Sequence, residues 1–134
     1  MSQIIQLDSN ALIALADPAG VTVSLVRERV LAGVLPGACV VAWHEFVSGP
    51  LDSDELLRVE RVVGARIISI TRATAELAAR LFNATGRRRA STADCFVAAS
   101  AIENNAELLT YNIEDFKPFT TFGLKLATQG KKST

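Results

Sequence analysis

The sequence predicts an α/β fold, a three-layer α/β/α sandwich around a central, mainly parallel sheet. Three observations carry that expectation. Short apolar and β-branched runs such as "QIIQL" alternate with segments of helical composition, the pattern of strands joined by crossover helices. The stretch "ADCFVAASAIEN" is apolar nearly all round, so it reads as a helix packed inside the protein. A single carboxylate, Asp8, interrupts the apolar run "IIQLDSNALIALA" at the point where strand should give way to helix.

The elements follow in order. "QIIQL" is the first strand, and "SNALIALA" from Ser9 is a helix that stops near Asp17 and Pro18. A second helix runs from Thr22 through "VSLVRERVLA" to Gly33. Pro36 and Gly37 read as a turn, "ACVVAW" as the second strand and "HEFVSG" as a helix. In "LDSDELLRVERVVG", Asp52 precedes Glu55 by three residues, a capping box, with apolar positions at Leu56, Val59 and Val63 and a stop at Gly64. "RIISI" is the third strand, and "TRATAELAARLFNATG" is an Ala/Leu-rich helix from Thr71 to Gly86. A basic connection, "RRRAST", leads into the buried helix. "AELLTYN" supplies a fourth strand, "TTFGLKLA" a last edge strand and "TQGKKST" a frayed end.

With 134 residues and no linker or repeat, the chain is expected to form one domain over residues 1–134. Its 14 basic and 14 acidic residues cancel, which argues against a partner held by net charge alone. No basic leader precedes a long apolar stretch, and no segment reaches the roughly 18 apolar residues of a membrane helix, so a cytoplasmic location without membrane contact is expected. Cys39 and Cys95 lie in apolar surroundings and read as buried free thiols.

In parallel sheets, ligands bind beyond the carboxyl ends of the strands. Asp8, Glu45 and Asp115 follow three strands there, and Asp94 opens the buried helix. Each has a simpler explanation. Asp8 can cap the helix at Ser9, Asp94 can complete the box begun by Ser91, Asp115 can do the same in "NIED", and Glu45 can offset a first-turn dipole. The combination favours chemistry, because clustered carboxylates raise one another's pKa unless a cation neutralises them. Hard oxygen ligands suit Mg²⁺ or Mn²⁺, which also bind phosphates. His44 is the only histidine, and neither a "GxxxxGK[ST]" loop nor a "GxGxxG" fingerprint is present, so metal-assisted hydrolysis is what remains.

The order "QLDSNALIAL", "VVAWHEF", "TADCFVAASAI" and "LLTYNIEDF" resembles the PIN domain, and the short single-domain form resembles the VapC-type toxins of bacterial toxin–antitoxin pairs. The resemblance covers nearly the whole chain. It implies a Mg²⁺- or Mn²⁺-dependent endoribonuclease whose acidic quartet falls on Asp8, Glu45, Asp94 and Asp115, all four serving as catalytic and metal-holding groups. Ser9, Thr110 and Asn112 would support the acids, with local capping and turn bonding as their alternative role. Arg87, Arg88 and Arg89 would meet the RNA backbone, the alternative being a solvated loop. The resemblance also implies a homodimer and a separate antitoxin chain, which inserts an arginine among the acids and lays a hydrophobic segment over the early helices.

Two departures from the family pattern stand out. "WHEF" places His44 where many toxins carry Ser or Thr, and both Asn112 and Asp115 could complete the acidic group, with Asp115 preferred for its charge. Two other classes compete: a PIN-like module that binds RNA or protein without cutting, and a phosphate-ester hydrolase in which "DSN" supplies an aspartyl nucleophile. The second would want a lysine near the later strands, and the first lysine is Lys117.

Overall fold

The computed structural model describes residues 3–85 and 91–127. Five parallel strands form one sheet in the order β3-β2-β1-β4-β5. β1 (Gln3–Leu7) is central, flanked by β2 (Val34–Cys39) and β4 (Glu107–Leu109), with β3 (Ile67–Ile68) and β5 (Lys125–Leu126) at the edges. A strand covered on both faces needs no polar side, and Ile5, Gln6 and Leu7 are all completely buried.

Among the described residues, seven α-helices connect and cover the strands. α1 (Ser9–Leu15), α2 (Val21–Leu31) and α4 (Ser53–Val63) pack together as one layer. α6 (Thr92–Glu103), against which α5 (Arg72–Ala84) packs, covers the face toward which Gln6 points, since the Gln6 amide donates to the Ser100 carbonyl. α3 (Val40–Val47) touches both α1 and α6, bridging the layers at the carboxyl end of the sheet, and the short α7 (Ile113–Phe116) follows β4. This is the α/β/α sandwich expected. Phe46, Phe116 and Phe119 are the largest side chains of the core, and Phe116 and Phe119 meet edge to face with centroids 6.1 Å apart.

Helix starts are where local chemistry is most legible. The Asp52–Glu55 capping box forms as expected at α4, Thr71 and Thr74 cap α5 reciprocally, and Ser91 Oγ accepts the Asp94 N–H at 3.0 Å. Gly33, with φ +88°, closes the α2–β2 connection in a left-handed conformation that glycine adopts without strain.

The second strand lies earlier than the sequence suggests. It spans Val34–Cys39 and contains Pro36 and Gly37, and the run "VVAW" is the start of α3. Four apolar residues do not distinguish strand from helix, and tertiary contacts decide. The Pro36 carbonyl accepts a 2.6 Å hydrogen bond from Arg66 Nε, on the β3 side of the strand. In a strand the N–H and C=O of one residue point the same way, so the N–H that proline lacks also faces that side. β3 pairs only with Ala38 and Cys39, and no ladder bond is lost at Pro36. A Cβ at Gly37 would lie 2.6 Å from the Arg66 carbonyl oxygen, which is why only glycine lets the chain pass here.

The third strand is also shorter than "RIISI", because Gly64–Arg66 form a 3₁₀ turn before it. Arg87, Arg88, Arg89 and the tail from Thr128 lie outside the described residues. Among the described residues, no helix is long and apolar enough to cross a membrane. Cys39 and Cys95 are buried free thiols, as expected.

Candidate active site

Asp8 directly follows the last residue of β1 and caps α1, accepting the Ser9 N–H at 2.8 Å on Oδ1. Its other oxygen, Oδ2, accepts the Thr110 hydroxyl at 3.0 Å. Thr110 itself follows the last residue of β4, and the Asp8 N–H donates to the Leu109 carbonyl, so two neighbouring strands end together at this carboxylate. Asp8 is only 4% exposed, and burial raises its pKa against the pull of both hydrogen bonds, with the charge of Asp115 adding to the rise.

Glu45 lies on α3, six residues beyond the end of β2 and in the second half of the helix. The expected alternative, a first-turn acid offsetting the helix dipole, therefore does not apply, since negative charge is disfavoured toward a helix C-terminus. Desolvation raises its pKa, the charges of Asp8 and Asp94 raise it further, and a hydrogen bond from the Ser9 side chain and the charge of His44 oppose them. Ser9 thus acts on two of the acids: its backbone N–H donates to Asp8, and its side chain lowers the pKa of Glu45.

Asp94 stands in the first turn of α6, where its backbone N–H donates to Ser91 Oγ at 3.0 Å and Ser91 lowers the pKa of its carboxyl. The capping role is real here, yet it does not hold the group at its ordinary value. Desolvation and the charge of Asp8 raise the pKa of Asp94, and Asp115 adds to the rise. Asp115 is exposed on α7 and acts on both Asp8 and Asp94. Asn112, its rival in the sequence, donates its backbone N–H to Thr110 Oγ1 at 3.0 Å and accepts the Asp115 N–H on its carbonyl at 3.1 Å, and its side chain makes no capping bond.

The four acids expected from the sequence therefore share one electrostatic site at the carboxyl end of the sheet. They do not close into a direct cage: among the described residues, no three Asp, Glu, His or Cys side chains are grouped so as to hold a metal ion. The set still suits a hard cation that retains much of its water, because every donor is a carboxylate oxygen and burial, together with the neighbouring acids, disfavours the charged form of Asp8, Glu45 and Asp94, which a cation would offset. Ser9 and Thr110 lie beside Asp8 and donate to its two carboxylate oxygens.

Two connections have no signature in the sequence. The Asn10 side-chain oxygen accepts the Tyr111 N–H at 3.0 Å, and the Tyr111 hydroxyl forms a short hydrogen bond with that of Thr22, a buried residue at the start of α2. Asn10 and Thr22 lie 101 and 89 residues from Tyr111 in sequence, and no local pattern links them. Away from the acids, α1, α2 and α4 enclose an apolar groove of about 430 Å³, lined by Leu15, Val23, Val26, Val30 and Val62 together with Arg27 and Arg58.

The PIN domain model matches residues 5–118 of the chain. No curated protein matches it. Among solved structures, VapBC2 from Rickettsia felis, bound to a DNA fragment from their promoter, aligns with a TM-score of 0.74 at 17% identity, over 93% of this chain and 98% of that one. FitAcB from Neisseria gonorrhoeae aligns at 0.69 with 18% identity, over 95% and 98%. A toxin–antitoxin complex from Klebsiella pneumoniae aligns at 0.67 with 20% identity, over 98% and 100%. At these identities the likeness is one of fold.

Proposed function

The chain belongs to the PIN-domain family, and on that footing we propose that it is a Mg²⁺- or Mn²⁺-dependent endoribonuclease of the VapC type, the toxin of a toxin–antitoxin pair acting in the cytoplasm. One observation carries the reading. Asp8, Glu45 and Asp94 come from three different elements, and each is pushed toward protonation by burial and by the charge of another acid of the group. A protein gains no stability from such an arrangement, and a divalent cation is the ligand that would offset it.

Asp8, Glu45 and Asp94 would hold the cation directly or through water, and Asp115 would complete the group or orient a bound water. When bound, the cation lowers the pKa of a water and stabilises the charge that builds on phosphate oxygens during in-line attack. The chain's own part is positional. Ser9 N–H and Thr110 Oγ1 fix both oxygens of Asp8, Asp94 sits on the helix turn that Ser91 caps, and the Ser9 side chain lowers the pKa of Glu45. Arg87, Arg88 and Arg89, which precede Ser91 in the sequence, would supply positive charge to the RNA backbone.

The neighbours in fold include a toxin–antitoxin complex, which supports an antitoxin as the partner of this chain. The apolar groove between α1, α2 and α4 suits a hydrophobic segment of that partner, and Arg27 and Arg58 suit acidic residues flanking it. A homodimer is part of the same proposal.

The test is incubation of partner-free protein with total RNA and Mn²⁺ or Mg²⁺, with EDTA and an Asp94→Asn variant as controls. Cleavage that disappears in both controls is expected. Intact RNA in every arm, with no Mn²⁺ uptake by calorimetry, would overturn the reading in favour of a non-catalytic PIN module.

A further inference from the structure

Tyr111 combines three properties that a surface aromatic seldom has together. It stands beside the acids: the preceding residue, Thr110, bonds to Asp8, and the following one, Asn112, donates its N–H to that same threonine. It is held at both ends, its backbone N–H by Asn10 on α1 and its hydroxyl by Thr22 on α2. Its ring nevertheless remains open, with the residue 40% exposed.

A tyrosine that served only to tie the loop to α2 would be expected to bury its ring as it buries its hydroxyl contact, since the ring carries most of the apolar area. Here the hydroxyl is anchored to a residue only 1% exposed while the ring still faces solvent. The two anchors fix the position and long axis of a partly exposed aromatic residue before any ligand arrives, and this lowers the ordering cost of stacking. Single-stranded nucleic acids are held in this way, by bases stacked on aromatic side chains while their phosphates meet charged groups.

We propose that Tyr111 is the base-stacking residue of this site, the fixed platform for a nucleobase of single-stranded RNA next to the scissile phosphate. The inference rests on the ribonuclease reading above and adds to it the residue that helps choose where the strand is cut. Stacking favours purines over pyrimidines by overlap area, so Tyr111 contributes a base preference, and Thr22 supports it by holding the ring's outer end in place.

The test uses the full chain carrying Asp94→Asn, so that RNA is not consumed, with fluorescently labelled hexamers of adenosine or uridine and adenosine hexamers carrying one abasic residue at each position in turn. Affinity is read by fluorescence anisotropy, and folding of each variant by circular dichroism. Tyr111→Ala and Tyr111→Leu are expected to weaken binding of the adenosine hexamer by roughly 5- to 100-fold, and Tyr111→Phe by much less. One abasic position should weaken binding to the Tyr111 protein and make no difference to Tyr111→Ala, a signature that a purely structural tie would not produce. Equal affinities and an unchanged adenosine-to-uridine ratio in Tyr111→Ala would overturn the stacking role. If the protein with Asp94 intact still cleaves RNA with added metal, the ribonuclease reading survives that result. If it neither cleaves RNA nor takes up Mn²⁺, both fall together.

Discussion

Thr110 donates a 3.0 Å hydrogen bond to Oδ2 of Asp8 across 102 residues of sequence, joining the ends of β1 and β4 at a buried carboxylate. Replacing Thr110 with valine keeps the shape and removes the donor, leaving Asp8 with one hydrogen bond fewer and Asn112 N–H without its acceptor. Thr110→Val is expected to lower stability by about 1.5–3 kcal/mol at neutral pH, the range for a hydrogen bond to a charged group. Urea unfolding of the metal-free protein measures it. A loss that stays the same once Asp8 is protonated would show that the hydrogen bond to the charged form is not its source.

The acids also set a pH dependence with a definite sign. The folded-state pKa values of Asp8, Glu45 and Asp94 are all raised, so the folded protein binds more protons than the unfolded chain through that interval. Their contribution is fully present below the ordinary carboxylate range, at about pH 4, and is lost as pH rises through the raised values. Metal-free protein in EDTA should therefore become more stable on mild acidification from neutral pH. Asp94→Asn should flatten that slope and raise the melting temperature at pH 7. A metal-free protein most stable at neutral pH, with Asp94→Asn less stable still, would contradict the shifts.

Divalent cations should act on the same balance from the other side. A ligand that binds only the folded state adds about 2.7 kcal/mol of stability at a concentration a hundredfold above its dissociation constant. Mn²⁺ or Mg²⁺ should raise the melting temperature of the unmodified chain and leave that of Asp8→Asn almost unchanged. An equal rise in both would assign the effect to ions elsewhere on the surface.

Gly37 offers a test of the strand placement that is independent of the acids. A Cβ there meets the Arg66 carbonyl oxygen at 2.6 Å and Arg66 Cβ at 3.0 Å, and a backbone oxygen cannot swing aside as the end of a flexible side chain can. Gly37→Ala is expected to cost about 1–3 kcal/mol, as for other overpacked core positions. A neutral or stabilising change by urea unfolding would mean that β2 and the turn before β3 do not approach as closely as described.

Much of this architecture is legible in one dimension. The alternation of strand and helix, the box at Asp52 and Glu55, the caps at Thr71 and Ser91 and the buried helix after Ser91 are all contained in segments of about a dozen residues. The second strand was not, because Pro36 and Gly37 carry a turn signal that only the absence of a β3 neighbour and the close approach of Arg66 override.

The candidate acids divide along the same line. Residue type and position at the ends of apolar runs are local properties, and they are what makes Asp8, Glu45, Asp94 and Asp115 candidates, with Ser9 and Thr110 beside them. Whether those charges feel one another, that Ser9 serves both Asp8 and Glu45, that Asp115 rather than Asn112 acts on Asp8 and Asp94, and that Tyr111 is anchored on Thr22 depend on distances between segments far apart in the chain. Hydrogen bonding, desolvation and Coulomb interaction act over a few ångströms of space, and a sequence records separation along the backbone alone.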